Sequence, residues 1–225
     1  MTITKKEINA APLLKNIEAV KINVDYPRIE GVLNKKAEKR INKFYIDIAK
    51  DYTKYTQKKL LNFYKKAYKQ KYENSFIKPV DVSQTYGYYI QDDRFFSVLY
   101  TQKEVSPFGE KRVKSFADVW DLNTGELLNM KNILKKYGIN KKKALKAIKT
   151  DLERRKEYGV SFNQKGLKRR LRSKFNPQNT FITDEGISIF YNPSDLKIKN
   201  RDLMIFKLFN LEKNKTDNNE NMKKK

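Results

Sequence analysis

The sequence predicts an α+β fold, in which an antiparallel β-sheet made of a meander and a late hairpin packs one face against a long amphipathic helix and shorter helices. Three observations predict it. Apolar residues recur at three- and four-residue steps between Ala37 and Tyr68, the spacing of an amphipathic helix. The period falls to two between Val80 and Trp120, as in half-buried strands. Helical spacing returns between Met130 and Leu171, before a final pair of strand-like segments.

The N-terminal third is predicted to be a strand followed by one long helix. Residues 17–24 are rich in β-branched side chains, and the strand is expected to close at Tyr26-Pro27 and Gly31. Asn34 is the predicted N-cap of the helix. Lysines occupy most of the helix surface away from the apolar stripe, so the stripe itself is expected to pack against the sheet. The stripe consists of Ala37, Ile41, Phe44, Ile48, Tyr52 and Tyr55, continued by Leu60, Phe63, Tyr64, Ala67 and Tyr68.

The middle of the chain is predicted to form the meander. Strands are expected over residues 82–90, 95–102 and 111–120, with a tight turn at Asp92-Asp93. A second turn is predicted at Pro107–Gly109 and a third at residues 121–125, leading into a short apolar stretch at Leu127-Leu128.

The last third is predicted to contain three helices and then three strands. The helices cover residues 130–137, 140–159 and 163–171, with Asn163 as the cap of the third and Pro177 as its end. A hairpin over residues 180–191 turns at 184–186, and a strand over 203–209 closes the fold. We therefore divide the chain into an N-terminal extension (1–16), a strand-plus-helix subdomain (17–79), an α+β subdomain (80–210) and a disordered basic tail (211–225).

The positive charge lies in two segments. The chain has 50 Lys+Arg against 26 Asp+Glu, a formal net charge of +24. Residues 35–72 carry 13 basic and 3 acidic residues, residues 131–175 carry 17 and 3, and the remainder is neutral. This distribution points to an anionic partner. The alternative is that the lysines form only a solvated helix surface, which is the usual role of lysine runs.

The densest basic run supplies the candidate ligand-binding residues. They are Lys165, Lys168, Arg169, Arg170, Arg172 and Lys174, together with Lys141, Lys142 and Lys143. The expected partner is an anionic polymer or surface: teichoic acid, phospholipid or nucleic acid. Nucleic-acid binding would be nonspecific and salt-sensitive. The apolar residues within the run are spaced as a core stripe, and no nucleic-acid motif accompanies them. The sequence predicts no oligomeric state.

Composition excludes several classes of enzyme. With no Cys and no His, the chain has no thiolate or imidazole for a nucleophile, a catalytic triad or a zinc site. The carboxylate pairs Asp92-Asp93, Asp118 with Asp121, and Asp184-Glu185 lie at predicted turns or strand ends, where Asp is favoured for backbone hydrogen bonding. The glycines are isolated, and none belongs to a phosphate-binding loop. We predict a protein that is not an enzyme and has neither cofactor nor metal.

Targeting signals do not account for the basic character. No apolar run has the length of a signal-peptide core or a membrane span, which predicts a cytoplasmic location.

Three segments resemble a known family. Residues 26–31 (YPRIEG), followed by a helix carrying INKF at 41–44, resemble the N-terminal domain of PdaC-type peptidoglycan deacetylases. Residues 116–128 (FADVWDLNTGELL) resemble a turn of the domain that follows, which also forms the ectodomain of RsiV-type anti-sigma factors. Residues 181–192 match that family's late hairpin. The resemblance spans roughly residues 17–209. The sequence departs from it at 109–112, which read GEKR where family members often carry Gly-Ala-His.

The resemblance implies a noncatalytic, extracytoplasmic module of the bacterial envelope, and a processed form of such a protein would be extracytoplasmic. No deacetylase catalytic domain is present, so deacetylation is not implied. Lysozyme binding is known for the RsiV branch, but the common secreted lysozymes are basic, and a net charge of +24 disfavours that partner. We therefore predict a binding or sensing module for an anionic cell-wall polymer or membrane surface. The alternative is a cytoplasmic, nonspecific nucleic-acid-binding protein.

Overall fold

The computed structural model describes residues 1–14, 17–71, 79–106, 111–158, 165–197 and 203–210 of the chain. Three predicted features lie outside these ranges: the turn at Pro107–Gly109, the helix cap Asn163 and the tail 211–225.

The described elements form runs of strands and runs of helices, as is typical of an α+β fold. The strands are β1 (Thr2–Ala10), β2 (Leu13–Leu14), β3 (Ile17–Glu18), β4 (Val20–Glu30), β5 (Val80–Gln91), β6 (Phe95–Val105), β7 (Lys111–Asp121), β8 (Glu126–Leu127), β9 (Thr180–Thr183), β10 (Gly186–Tyr191) and β11 (Met204–Asn210). The helices are α1 (Lys35–Lys71), α2 (Met130–Lys136), α3 (Lys141–Glu157), α4 (Leu167–Ser173) and α5 (Pro193–Leu196), with a 3-10 turn at Pro177–Asn179. The predicted α+β class is confirmed.

The chain divides into two compact units that are not consecutive in sequence. Unit 1 comprises Met1–Gly87, Tyr100–Ser115 and Leu122–Gly125. Unit 2 comprises Tyr88–Leu99, Phe116–Asp121 and Glu126–Lys225. Strands β5, β6 and β7 each contribute residues to both units. Helix α1 belongs to unit 1, whereas α2, α3 and α4 belong to unit 2, so the two basic segments are in different units.

The larger sheet has the strand order β1-β4-β5-β6-β7-β8 and is mixed. Strands β4 and β5 pair in parallel, from Val20 opposite Val80 to Val24 opposite Gln84. The sequence predicted an antiparallel sheet, and this pair differs because α1 connects the two strands. A helical crossover returns the chain to the end of the sheet from which it left, so that the next strand runs in the same direction.

Strand β1 lies within the segment that was predicted only as an extension. It pairs antiparallel with β4 over nine residues, from Thr2 opposite Glu30 to Ala10 opposite Ile22. Strand β4 continues through Tyr26-Pro27 and ends at Glu30, directly before Gly31, where the sequence also predicted its close. Proline is tolerated there because the pairing of β4 with β5 ends at Val24, which leaves no second ladder requiring an N–H from residue 27.

Helix α1 is a single continuous helix that packs on β4 within unit 1. The Asn34 side chain accepts hydrogen bonds from the backbone N–H groups of Lys36 and Ala37, at 3.0 and 3.1 Å, which confirms the predicted cap. Asn42 forms a two-way amide pair with the backbone of Ile29, both bonds being 2.8 Å long. Further along, the helix buries Ala49 and Leu60. They pack in one cluster with Ala19, Val20, Ile22, Val24, Val80 and Val82 of unit 1.

Gly125, in the turn after β7, has a left-handed backbone conformation that favours glycine. Its φ is +69°, and a Cβ at this position would lie 2.6 Å from the Cα of Ala37. The predicted turn at 121–125 therefore brings the backbone against the first turn of α1.

Unit 2 is built around the three-stranded sheet with the order β11-β10-β9. All six residues of β10 are buried. Helix α2 buries Met130 and Leu134 in the same cluster as Phe181, Ile187 and Phe190. Helices α3 and α4 cover a second cluster. Helix α5 was not predicted, and it is a single turn that begins with Pro193 at its first position.

Candidate functional site

The predicted site residues lie on α3 and α4, or directly beside the ends of α4, in unit 2. Helix α3 buries Ala144, Ile148 and Leu152 at four-residue steps, and α4 buries Leu171. Of these, Ile148, Leu152 and Leu171 share one apolar cluster, which also contains residues of β10 and β11. Both helices direct apolar residues into this cluster, and most of their charged residues are exposed to solvent.

The first turn of α3 carries three lysines where a helix favours negative charge. Asn140 caps the helix, and its Oδ1 accepts a hydrogen bond of 2.9 Å from the N–H of Lys143. Lys141, Lys142 and Lys143 are exposed, and the first turn contains no acidic residue. The partial positive charge of a helix N-terminus is repelled by cations, so these lysines oppose the stability of α3.

The structure brings the start of α3 close to the end of α4. The Nζ of Lys141 lies 5.6 Å from the centre of the Phe175 ring, and Phe175 directly follows Lys174. Leu145 of α3 and Leu167 of α4 also pack against the same cluster. The two groups of predicted residues therefore form one region. We call it the α3–α4 basic surface and define it by Lys141, Lys142, Lys143, Lys165, Lys168, Arg169, Arg172 and Lys174.

None of these eight side chains forms an ion pair with another described residue. Elsewhere in unit 2 the described ion pairs include Lys149 with Glu153 at 3.4 Å and Lys207 with Glu185 at 3.0 Å. All eight cations of the α3–α4 basic surface are exposed. Their charge is consequently not neutralised by neighbouring carboxylates in the part of the chain that the structure describes.

Arg170 is in the same run but has a different environment. It is half-buried, its Nε donates to the carbonyl oxygen of Leu196 at 2.8 Å, and its Nη1 donates to the carbonyl oxygen of Lys165 at 2.7 Å. The guanidinium thus links α4 to the end of α5. Sequence reasoning grouped Arg170 with its neighbours because the carbonyl of Leu196, 26 residues away, has no signal in the local pattern.

A second structural arginine lies on α3. Asp151 accepts hydrogen bonds of 2.6 Å from both Arg154 and Arg155. Arg155 also donates to the carbonyl oxygen of Ile205 on β11 at 2.6 Å and lies over the ring of Phe206. These contacts attach α3 to the sheet. The cations of the first turn of α3, in contrast, are exposed to solvent.

The carboxylate pairs lie in three different environments. Asp92 and Asp93 have φ values of 52° and 47° and form the tight turn between β5 and β6, as predicted. Asp184 and Glu185 form the tip of the β9–β10 hairpin, also as predicted. Asp118 was expected at a strand end or turn but lies within β7.

Asp118 is the most perturbed carboxyl among the described residues. Its Oδ2 is enclosed and has no hydrogen-bond partner. Burial raises the pKa of Asp118 from 3.8 to about 7. Asp121, three positions further along the same strand, points to the opposite face because side chains alternate. Asp121 instead lies 3.5 Å from Arg94. The two carboxyls therefore do not converge as an acid–base pair.

Metal-ligand clusters and membrane-spanning helices are absent from the described residues. No group of three or more His, Cys, Asp or Glu side chains comes together as metal ligands would. None of the described helices has the length and apolar character needed to span a bilayer.

Comparison with known proteins identifies the fold. No family model matches the chain, and no curated protein matches its sequence. A member of the DUF3298 family from Bacteroides fragilis superposes with a TM-score of 0.63 at 12% identity, covering 94% of this chain and 90% of its own. A DUF3298 family protein from Pseudomonas aeruginosa gives a TM-score of 0.58 at 10% identity, with coverages of 92% and 91%.

This chain has the fold of DUF3298 proteins. The DUF3298 family is bacterial, has no assigned function and is related to PdaC- and RsiV-like domains. At these identities the similarity establishes the fold and leaves the function to be argued from the chain's own residues.

Proposed function

We propose that this protein is a noncatalytic binding module of the bacterial envelope that takes up an anionic polymer or membrane surface on its α3–α4 basic surface. The observation that carries the proposal is the set of eight exposed cations without carboxylate partners among the described residues. A surface that served only for solvation would gain stability from interspersed carboxylates. This one lacks them in the first turn of α3 and throughout α4.

The position of Lys141, Lys142 and Lys143 supports the same proposal. Cations at a helix N-terminus reduce the stability of the helix. A bound phosphate or sulfate group would interact favourably with both the lysines and the helix N-terminus. The arrangement therefore favours the ligand-bound state over the free one.

Nucleic acid is the less favoured anion. Proteins that bind single strands stack the bases on exposed aromatic rings. The aromatic residue that contacts the α3–α4 basic surface, Phe175, packs into the apolar clusters instead. Tyr158 is 82% exposed, but it caps the far end of α3, about 25 Å from Lys141 at the rise of an α-helix. A polymer without bases, such as teichoic acid, or a phospholipid surface suits this environment better.

The proposal is tested by retention on immobilised teichoic acid, on duplex DNA and on anionic phospholipid vesicles across a salt gradient. The informative variant is the triple substitution Lys168→Gln, Arg169→Gln and Lys174→Gln. For a phosphate polymer, removing three contacts should lower the slope of log affinity against log salt by up to about 3. The loss of retention should be largest on the matrix that carries the natural type of ligand.

The control has the same change of net charge in unit 1. Lys39, Arg40 and Lys54 on α1 are exposed and have no described ion pair, and their replacement by glutamine should leave retention close to that of the wild type. Equal losses in both triple variants would mean that net charge alone causes retention. Elution of the wild-type protein from all three matrices at low salt would refute the proposal.

A further inference from the structure

Unit 1 contains a groove, lined by both polar and apolar residues, on the face of the sheet opposite to α1. Ile22 and Val82 point from β4 and β5 into the cluster formed with α1. Because side chains alternate along a strand, the residues on either side of them point to the other face. An open groove of about 570 Å³ lies on that face, within the range of small-ligand sites. Its lining residues are Asn9, Ala10, Ala11, Glu18, Lys21, Ile22, Asn23, Asp81, Val82 and Ser83.

The strand registers place the polar side chains of the groove in two rows. Asn9 of β1 lies opposite Asn23 of β4, which lies opposite Ser83 of β5. Lys21 of β4 lies opposite Asp81 of β5. Adjacent strands are about 4.8 Å apart and alternate residues along a strand about 7 Å apart. The two rows therefore cover an area of roughly 10 by 7 Å on backbone that the sheet holds rigid.

Three of these side chains have no partner within the described protein. Asn9 donates to Glu7 at 3.1 Å, and Lys21 lies 3.5 Å from Glu18. Asn23, Asp81 and Ser83 make neither hydrogen bonds nor ion pairs with described residues, although they are neighbours in the groove. An amide, a carboxylate and a hydroxyl are thus held side by side with their hydrogen-bonding capacity directed to solvent.

The charge of the groove differs in sign from that of the chain. Its lining has two carboxylates and one ammonium group, in a protein with a net charge of +24. Since Lys21 pairs with Glu18, the carboxylate of Asp81 is the charge left over. A polyanion would be repelled by it. A complementary ligand would have hydroxyl groups that donate hydrogen bonds to the Asp81 carboxylate. Its other polar groups would both donate hydrogen bonds to and accept them from the Asn23 amide and the Ser83 hydroxyl.

We propose that this groove binds a neutral carbohydrate, with Asp81 accepting from sugar hydroxyls and with Asn23 and Ser83 completing the hydrogen bonding. The lining contains no aromatic ring for stacking against a sugar. Binding of a single sugar unit is therefore expected to be weak, in the millimolar range. The proposal is independent of the α3–α4 basic surface, which lies in unit 2.

The test is a titration of the full ¹⁵N-labelled chain, followed by amide chemical shifts. The probes are glucose, galactose and N-acetylglucosamine, with putrescine as a cationic comparison. At least one sugar should shift the amides of residues 21–23 and 81–83 in a saturable way. Asp81→Asn should weaken that binding by about 10-fold or more, the usual loss when a charge-assisted hydrogen bond becomes a neutral one.

The matched control is Asp184→Asn, which makes the same change at an exposed hairpin tip in unit 2 and should leave sugar binding unchanged. Unperturbed amide spectra outside the groove show that each variant is folded. Absence of sugar-induced shifts at millimolar concentrations would overturn the proposal. A response to putrescine but to no sugar would also overturn it, since the groove would then be a cation site. Wild-type affinity in Asp81→Asn would overturn the assignment of Asp81 as the carboxylate that accepts from sugar hydroxyls.

Discussion

Replacing Asp118 by asparagine should stabilise the folded protein by an amount that grows as the pH rises. Burial raises the pKa of Asp118 to about 7 in the folded state, whereas the unfolded chain has the ordinary value of 3.8. Between these two values the folded state holds a proton that the unfolded state has released. The free energy of unfolding of the wild type therefore falls with rising pH across this window and levels off above pH 7.

The magnitude follows from the width of the window. Each pH unit between the two pKa values corresponds to about 1.4 kcal/mol. Asparagine has the same shape and does not ionise, so the variant lacks this contribution. The stability difference between Asp118→Asn and the wild type should widen by about 3 kcal/mol between pH 5 and pH 8, of which nearly all accrues below pH 7.

Urea unfolding followed by tryptophan fluorescence measures this difference. Trp120 is the sole tryptophan of the chain, is buried, and lies two residues from Asp118 in unit 2, so it reports on the relevant part of the fold. Other titrating groups are common to both proteins and cancel in the comparison. Asp184→Asn, at the exposed hairpin tip, is the matched control that makes the same chemical change away from the buried site. A constant difference for Asp118→Asn, within about 0.5 kcal/mol, would refute the inferred burial of an unpartnered carboxylate.

Three further substitutions test separate features, each by equilibrium unfolding. Gly125→Ala should destabilise the protein by about 2–4 kcal/mol, because φ is positive and the new Cβ would clash with α1. The control is Gly87→Ala, whose new Cβ meets no atom within 4 Å and which should change stability by no more than about 0.5 kcal/mol. Similar effects at both positions would contradict the close approach of Gly125 to α1. Arg170→Lys should lower the free energy of unfolding by about 1–3 kcal/mol, because its two hydrogen bonds to carbonyls are lost. Arg169→Lys is the control and should leave stability unchanged. An unchanged stability in Arg170→Lys would refute the structural role of Arg170. Lys142→Gln should raise stability by about 0.3–1 kcal/mol while weakening polyanion retention, and a loss of stability would show that the lysine supports the helix.

Much of the fold was predictable because strong periodic patterns determine it. The apolar stripe from Ala37 onward and the cap at Asn34 locate α1, and the alternation from Val80 to Trp120 locates β5 to β7. In these elements the side chains that face the core supply most of the stabilisation, so their spacing records the local structure.

Strand β1 was missed because its stabilisation comes from another source. None of its nine residues is buried, so no apolar period marks it. It is held by backbone pairing with β4, to which every residue type except proline contributes an N–H and a C=O. The parallel β4–β5 pair was missed for a related reason. The direction of a strand depends on how α1 returns the chain, and the sequence of the strand itself does not encode it.

The sequence identified the basic run that forms the candidate site, but it did not distinguish the environments of the individual residues. Arg169 and Arg170 are adjacent and chemically identical, yet Arg170 binds two carbonyls and Arg169 is solvated. Asp118 and Asp121 differ in the same way, since one is enclosed in β7 and the other faces Arg94. In both cases the environment depends on atoms that are distant in the sequence or on a neighbouring strand.

The separation of these roles strengthens the case for a functional surface. Arg155 and Arg170 hold α3 and α4 in place through backbone carbonyls, and the apolar residues of both helices supply the packing. The eight cations of the α3–α4 basic surface, in contrast, are exposed and form no ion pair with described residues. Three of those cations lie at the N-terminus of α3, where they act against stability. Cations that neither pair with described carboxylates nor support their helix are best explained by the proposed binding of an external anion.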